Sequence, residues 1–536
     1  MQFYPKKLLS SLLIVSFIVI ITLKPVFAQS YTIKNDCFWH TSKSKPIYSQ
    51  GGGIFTFPDP ETGEEKYFWY GVHYKQAEMY RSDPSVTQPH NNFEGVTCYS
   101  SDNLIDWEYE ANVLTPEEVF GDSGRRWGWL GRMGVAYVKE ANQYVLIIQY
   151  NSSVLFAVAD NPLGPFKKQY TKDMTSWIGT PNTGDQTVFT DEDTGKSYLI
   201  YSYGKGRNKI YISEIGLKND TITLLNYKEI FRGAGREGNC MFKYRGKYFM
   251  AASDLYGWDA SHAYYLMADD IWGPYHPEND MQVMPGCEDD YAHISQTGFF
   301  VTVRGSKQET VIFCGDRWAN FAGNGLGYNQ WCPLSFNGYD PYFNSLNSWN
   351  LNANTGEWSV ADDNNWVKNA SFEADRKQMP SPKKPVQTRL LGWETTVING
   401  TEISLDSLSP ELNHANTEEE RKVVVGERSL NMSDRVNFKR KVSQKINSSP
   451  YVTFPNDTYT LTAKVKNSGD FNILEMYAES GKTRYVVKVN DEHKTWTSLS
   501  IENIKVENNE VEIGFLADGK AGAFCLADDV SLVKNK

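Results

Sequence analysis

Asp59-Pro-Glu-Thr-Gly-Glu-Glu-Lys-Tyr67-Phe-Trp-Tyr70 is a polar turn running straight into an aromatic strand, and five units of this kind occur in the chain. The second is Lys139-Glu-Ala-Asn-Gln-Tyr144-Val-Leu-Ile-Ile-Gln-Tyr150, and the third Asp191-Glu-Asp-Thr-Gly-Lys-Ser-Tyr198-Leu-Ile-Tyr201. Tyr244-Arg-Gly-Lys-Tyr248-Phe-Met250 is the fourth, and Arg304-Gly-Ser-Lys-Gln-Glu-Thr-Val311-Ile-Phe313 a looser fifth. Turn residues ahead of a β-rich run are a hairpin signature. A second element follows three of the units: Ser101-Asp-Asn-Leu104-Ile-Asp-Trp107, Ala159-Asp-Asn-Pro-Leu-Gly-Pro-Phe166 and Ala268-Asp-Asp-Ile-Trp-Gly-Pro-Tyr275. Each is a strand end, an Asp-containing turn and an aromatic. A period of roughly 50 to 80 residues suits four-stranded units with variable loops. Helical periodicity is nearly absent from Tyr31 to Trp358. The expected fold is all-β, with a five-bladed β-propeller over residues 29–362. A two-sheet sandwich is the competing reading, but sandwiches rarely repeat one unit five times.

The flanks differ. Lys6 and Lys7, an apolar run from Leu8 to Leu23 and a small residue at Ala28 read as a signal peptide over residues 1–28. A membrane anchor is the alternative, although the run is short for a span. The mature chain is expected to be periplasmic or secreted, without membrane insertion. After Trp358 Lys and Glu become commoner, and residues 363–536 read as a jelly-roll-like β-sandwich. Its strands are foreshadowed by Tyr459–Val465, Tyr485–Val489, Glu510–Phe515 and Phe524–Leu532. Pro380, Pro382 and Pro385 mark an extended, poorly structured stretch, and the charged segment from Asn416 to Lys441 reads as a loop or insertion.

A net charge of −11 with no basic face argues against nucleic acid as partner. The seven cysteines show no zinc spacing, leave at least one free thiol and allow no disulfide to be assigned. No cofactor is expected. Calcium is left open in either domain, since no EF-hand-like or histidine-cluster spacing points to it. Aromatic residues make up 14% of the chain, with 15 Trp and 32 Tyr, which suits stacking on sugar faces as well as packing in a β core. The expected partner is an oligo- or polysaccharide, met by a monomer.

In a propeller the innermost strand of each blade lines the central channel. The strands ahead of the five repeats should be those inner strands, and each carries a polar residue a few positions before an apolar pair. Equivalent register would bring Gln50, Arg132, Asp185, Glu237 and Gln296 around one pocket. Glycoside hydrolysis needs a proton donor for the leaving oxygen and a group that manages water on the other face. Glu237, between Arg236 and Gly238, is the donor candidate, where desolvation would raise its pKa. Asp185 is its natural companion. A structural turn or salt bridge is the plain alternative for either carboxylate.

Gly51-Gly-Gly-Ile54, Gly184-Asp-Gln-Thr-Val-Phe189, Gly235-Arg-Glu-Gly-Asn-Cys-Met-Phe242, Ser295-Gln-Thr297 and Cys314-Gly-Asp-Arg-Trp318 together resemble family-43 glycoside hydrolases. The likeness is strongest to the exo-β-1,3-galactanase branch and covers residues 31 to about 360. It implies a five-bladed propeller working with inversion, with Glu237 as general acid and Asp185 as modulator of its pKa. Most members place a base Asp where this chain has Gln50. The galactanase branch lacks that Asp and carries a Gln at the position of Gln296 to handle the water. Gln50, Arg132 and Arg317 are expected to contact the sugar. The branch has a Glu directly before the Arg matched by Arg132, whereas Gly131 stands here, which leaves the substrate open. Glu288, Asp289 and Asp290 could supply a base from a loop, though an acidic run is more often solvated. Asn369-Ala-Ser-Phe-Glu373, Gly392-Trp393 and Asp528-Asp-Val-Ser-Leu532 resemble carbohydrate-binding jelly rolls, with Trp393 or Trp496 as a sugar platform or a core aromatic. The expected activity is release of β-linked galactose from arabinogalactan-type polysaccharide. An α-L-arabinofuranosidase or β-xylosidase is the second reading, and a non-catalytic glycan-binding propeller the third.

Overall fold

The computed structural model describes Met1 and residues 31–86, 92–122, 124–125, 128–319, 325–375, 389–404 and 408–536. The expected leader, apart from Met1, and the Pro380–Pro385 stretch lie outside the described residues. The chain is all-β, with only a few short helices such as Lys75–Ser82.

Five antiparallel sheets follow one another along the chain. Sheet I starts with Gln50–Pro58 and Glu65–Tyr74, sheet II with Leu130–Val138 and Gln143–Tyr150, and sheet III with Thr183–Asp191 and Lys196–Tyr203. Sheet IV starts with Arg236–Tyr244 and Lys247–Asp254, and sheet V with Gln296–Arg304 and Glu309–Ala319. Each quoted repeat is thus the turn between first and second strands, followed by the second strand. The aromatics that close the Asp-containing turns, Trp107, Phe166 and Tyr275, are buried.

The second strands explain why the sheets associate. Their apolar runs are continuous because both faces are covered, and successive side chains point to opposite faces. Leu146 and Ile148 join a core shared with sheet I, while Val145 and Ile147 join one shared with sheet III. Leu199 and Tyr201 face sheet II, but Tyr198 and Ile200 face sheet IV. Phe313 packs toward sheet IV, and Ile312 with Cys314 enters a core containing Trp69 of sheet I. Five separate cores therefore fill five interfaces, the last joining sheet V back to sheet I. The first strands contact one another in the same cyclic order. Tyr31–Lys34 pairs with Ser348–Leu351 beside the junction of sheets V and I.

Every first strand is interrupted at the same level by a register shift against its second strand. The shifts fall between Gln50 and Gly53, Leu130 and Met133, Thr183 and Gln186, Glu237 and Cys240, and Thr297 and Phe299. Such bulges re-aim side chains. A glycine sits in each. At Gly238 the need is steric as well as conformational, since φ is +63° and a Cβ would overlap the Thr297 carbonyl.

The C-terminal part holds two five-stranded antiparallel sheets around one core. Thr458–Asn467 alternates in burial, with Tyr459, Leu461, Ala463 and Val465 inside. The segment Asn416–Lys441, expected to be a loop or insertion, instead supplies a helical turn at Glu418–Arg421 and the strand Arg428–Ser433, and enters a second strand at Phe438. Thr417 and Glu420 form a capping box at the turn, and Leu430, Met432 and Phe438 bury into the core despite the charged neighbours. All seven cysteines are free thiols.

Candidate active site

The bulges aim polar side chains from all five sheets into one cavity of about 190 Å³. Gln50, Arg132, Asp185, Glu237 and Gln296 all line it, the convergence expected from equivalent register. Each is buried. Buried ionisable groups must be paired, and two arginines do the pairing.

Arg132 is the hub. Its Nε donates to Asp185 Oδ2 at 3.2 Å, Nη1 to Asp316 Oδ2 at 2.7 Å and Nη2 to Gln296 Oε1 at 2.6 Å. Trp318 Nε1 also donates to Gln296 Oε1, at 3.0 Å. Two donors on that oxygen fix which way the amide points. Gln296 Nε2 donates to the Gly257 carbonyl at 3.2 Å.

Arg207 is the second cation. Its Nη1 donates to Asp185 Oδ1 at 3.0 Å and to Glu237 Oε2 at 2.7 Å, so the two carboxylates share one guanidinium nitrogen. Asp185 Oδ2 also accepts the Gly238 N–H at 2.7 Å. Burial alone would raise the Asp185 pKa, but Arg207, Arg132 and the Gly238 amide outweigh it and hold the group below its ordinary value. Glu237 ends on the other side. Burial, with the Asp185 charge added, outweighs Arg207 and pushes it up to about 8. Its Oε1 is buried and accepts no hydrogen bond of normal geometry among the described residues. One carboxyl is thus ionised and the other protonated at neutral pH. An acid and its tuner need that division of states.

Indoles complete the wall. Trp129, Trp258 and Trp318 line the cavity. Trp258 lies 5.1 Å from Trp318 and 5.9 Å from Trp129, ring centre to ring centre.

Other expected residues go elsewhere. Arg317 does not line this cavity: its Nη1 donates to Asp36 Oδ1 at 3.0 Å and its guanidinium lies over Tyr328. The cause is strand alternation, which turns Asp316 and Trp318 to Arg132 and Gln296 and sends Arg317 to the opposite face. Glu288, Asp289 and Asp290 do not line it either. Asp290 is buried against His293 and Ser345, Glu288 accepts the Gly286 N–H at 2.7 Å, and Asp289 lines a crevice against the C-terminal sheets. Trp393 is a core residue of the C-terminal part, and Trp496 is half-buried on its strand. Arg207, Asp316 and Gln149 are the polar site residues that motif reading missed. Asp316 was legible from the parity of its strand. Arg207 sits in a loop at φ +50° and carries no motif.

A family model described as Glycosyl hydrolases family 43 matches residues 73–327. Among solved structures, the exo-β-1,3-galactanase of Phanerochaete chrysosporium with galactose is 20% identical, with a TM-score of 0.52 over 94% of this chain and 100% of that one. The exo-β-1,3-galactanase of Clostridium thermocellum is 18% identical, with the same TM-score and the same coverage. At these identities the likeness is one of fold. No curated protein matches the chain.

Proposed function

We propose that this chain, which its family-43 domain marks as a glycoside hydrolase, is an exported, monomeric, inverting exo-enzyme that releases β-linked galactose from arabinogalactan-type polysaccharide. The five sheets are the blades of a propeller over residues 29–362, and residues 363–536 form the sandwich. The observation that carries the reading is the Asp185–Arg207–Glu237 arrangement, with one carboxyl held ionised and the other held protonated.

Glu237 protonates the leaving oxygen from Oε1, the atom that accepts no internal hydrogen bond of normal geometry. Asp185 is the tuner. Its oxygens are committed to Arg207, Arg132 and the Gly238 amide, and it shares a cation with the acid. An inverting pair instead stands roughly 6.5–9.5 Å apart to admit water. Water is therefore handled by Gln296. With Oε1 held by Arg132 and Trp318, its amide N–H orients the nucleophile. Gln50 and the three indoles hold the sugar. The C-terminal sandwich serves as a cap, with Trp496 as its remaining candidate for glycan contact.

Support for galactose comes from the named activity of the fold neighbours. The test is a product screen with galactan, arabinan, xylan and arabinogalactan oligosaccharides, run beside Glu237→Gln. Galactose release, reduced roughly 10²- to 10⁴-fold in the variant with binding retained, is expected for loss of a general acid. Arabinose or xylose as sole product would overturn the substrate, and wild-type turnover in the variant would overturn the acid.

A further inference from the structure

Gln149 stands on the second strand of sheet II, opposite the bulge at Gly131 and Arg132. A bulge leaves backbone groups without their ladder partners, and this side chain supplies them. Its Oε1 accepts the Arg132 N–H at 2.7 Å, and its Nε2 donates to the carbonyl of Gly184, the residue before Asp185. One buried amide thus clamps the backbone of two cavity residues on neighbouring sheets. A Cβ on residue 131 would overlap Gln149 Oε1, so the clamp and any side chain at that position exclude each other. A second side-chain bridge between neighbouring sheets lies one register position away from this one. Ser253, on the second strand of sheet IV, accepts the Thr297 N–H of sheet V through its Oγ at 2.7 Å.

We propose that Gln149 is a positioning residue that sets Arg132 against Asp185, and that residue 131 is glycine because Gln149 occupies its side-chain space. The proposal rests on the glycosidase reading above and deepens it. Arg132 spans Asp185, Asp316 and Gln296, so a backbone displacement at Arg132 reaches both the acid's tuner and the water-handling amide. Both ends of the Gln149 side chain are engaged with backbone, so it acts on Arg132 and Asp185 through those neighbours.

The experiment is a double-mutant cycle on Gln149→Ala and Gly131→Ala in the full chain, read by kcat, KM, pH profile and crystal structure. Gln149→Ala is expected to lower kcat about 10- to 100-fold with a smaller change in KM, the scale of an ångström-level misplacement. The alkaline limb of its pH profile should move, and the structure should show Arg132 withdrawn from Gln296. Gly131→Ala should be comparably damaged alone yet add nothing in the Gln149→Ala background. Additive losses, or Gln149→Ala with wild-type kcat and unmoved Arg132, would overturn the proposal. A wild-type chain without glycosidase activity would instead defeat the functional reading, and the crystal structures of the variants would still decide the clamp.

Discussion

Replacing Arg207 with Met should move the alkaline limb of catalysis upward. The stem of the side chain is retained against Gly184, and only the charge is lost. In the wild type Arg207 favours the Glu237 anion at 2.7 Å, opposing burial. Two unit charges about 4 Å apart interact by about 4 kcal/mol at an effective dielectric of about 20. The Arg207 side chain is 27% exposed, so solvent removes part of this; about 2 kcal/mol remains, or between one and two pH units. Removing the cation also leaves the Asp185 charge less compensated, which acts in the same direction. A general acid works only while protonated, so activity falls as pH rises through its pKa. The wild-type limb in kcat/KM is expected near pH 8, and that of Arg207→Met about one to two pH units higher. A folded variant whose limb stays put or moves down would refute the electrostatic reasoning.

Asp185→Asn should do the opposite. The Asp185 charge raises the Glu237 pKa, so the limb should fall by about one pH unit with a large loss of kcat, as measured by the same profiles. A second buried cluster governs stability. Asp36 and Asp290 outweigh burial and push His293 up to about 9 from an ordinary 6.5. A raised pKa stabilises fully below the unfolded value and is lost as pH rises through the folded one, so up to about 3 kcal/mol should disappear between about pH 6.5 and 9. Melting curves of wild type against His293→Gln should converge over that window, and a constant gap would contradict the assignment. Trp69, buried at the junction of sheets V and I beside Trp107 and Trp331, should cost about 3–5 kcal/mol when cut to Ala in denaturant unfolding. Trp69→Phe should be far milder, because the indole N–H has no partner to lose among the described residues.

Much of this was legible before any coordinates. Val145-Leu-Ile-Ile148 has no polar alternation, and the structure shows why: its odd and even residues feed two different cores. Equivalent register brought Gln50, Arg132, Asp185, Glu237 and Gln296 to one pocket, and the glycine-containing bulges beside them, which the sequence reading does not include, explain how. What failed did so for local reasons. Arg317, expected at the sugar, turns to Asp36, because strand parity sends its neighbour Asp316 to Arg132 instead. Arg207 sits at a left-handed loop position that no motif marks, and its reach to Asp185 and Glu237 depends on how sheets III and IV pack. The charges of Asn416–Lys441 masked Leu430, Met432 and Phe438, whose spacing places them inward.

The most direct test of a single buried acid working opposite an oriented water is the anomeric form of the first product. Proton NMR during hydrolysis of a β-1,3-linked galactooligosaccharide should show α-galactose appearing first, with β-galactose following only by mutarotation. Initial β-galactose, or no galactose at all, would contradict the assignment of Glu237, Asp185 and Gln296 to that chemistry.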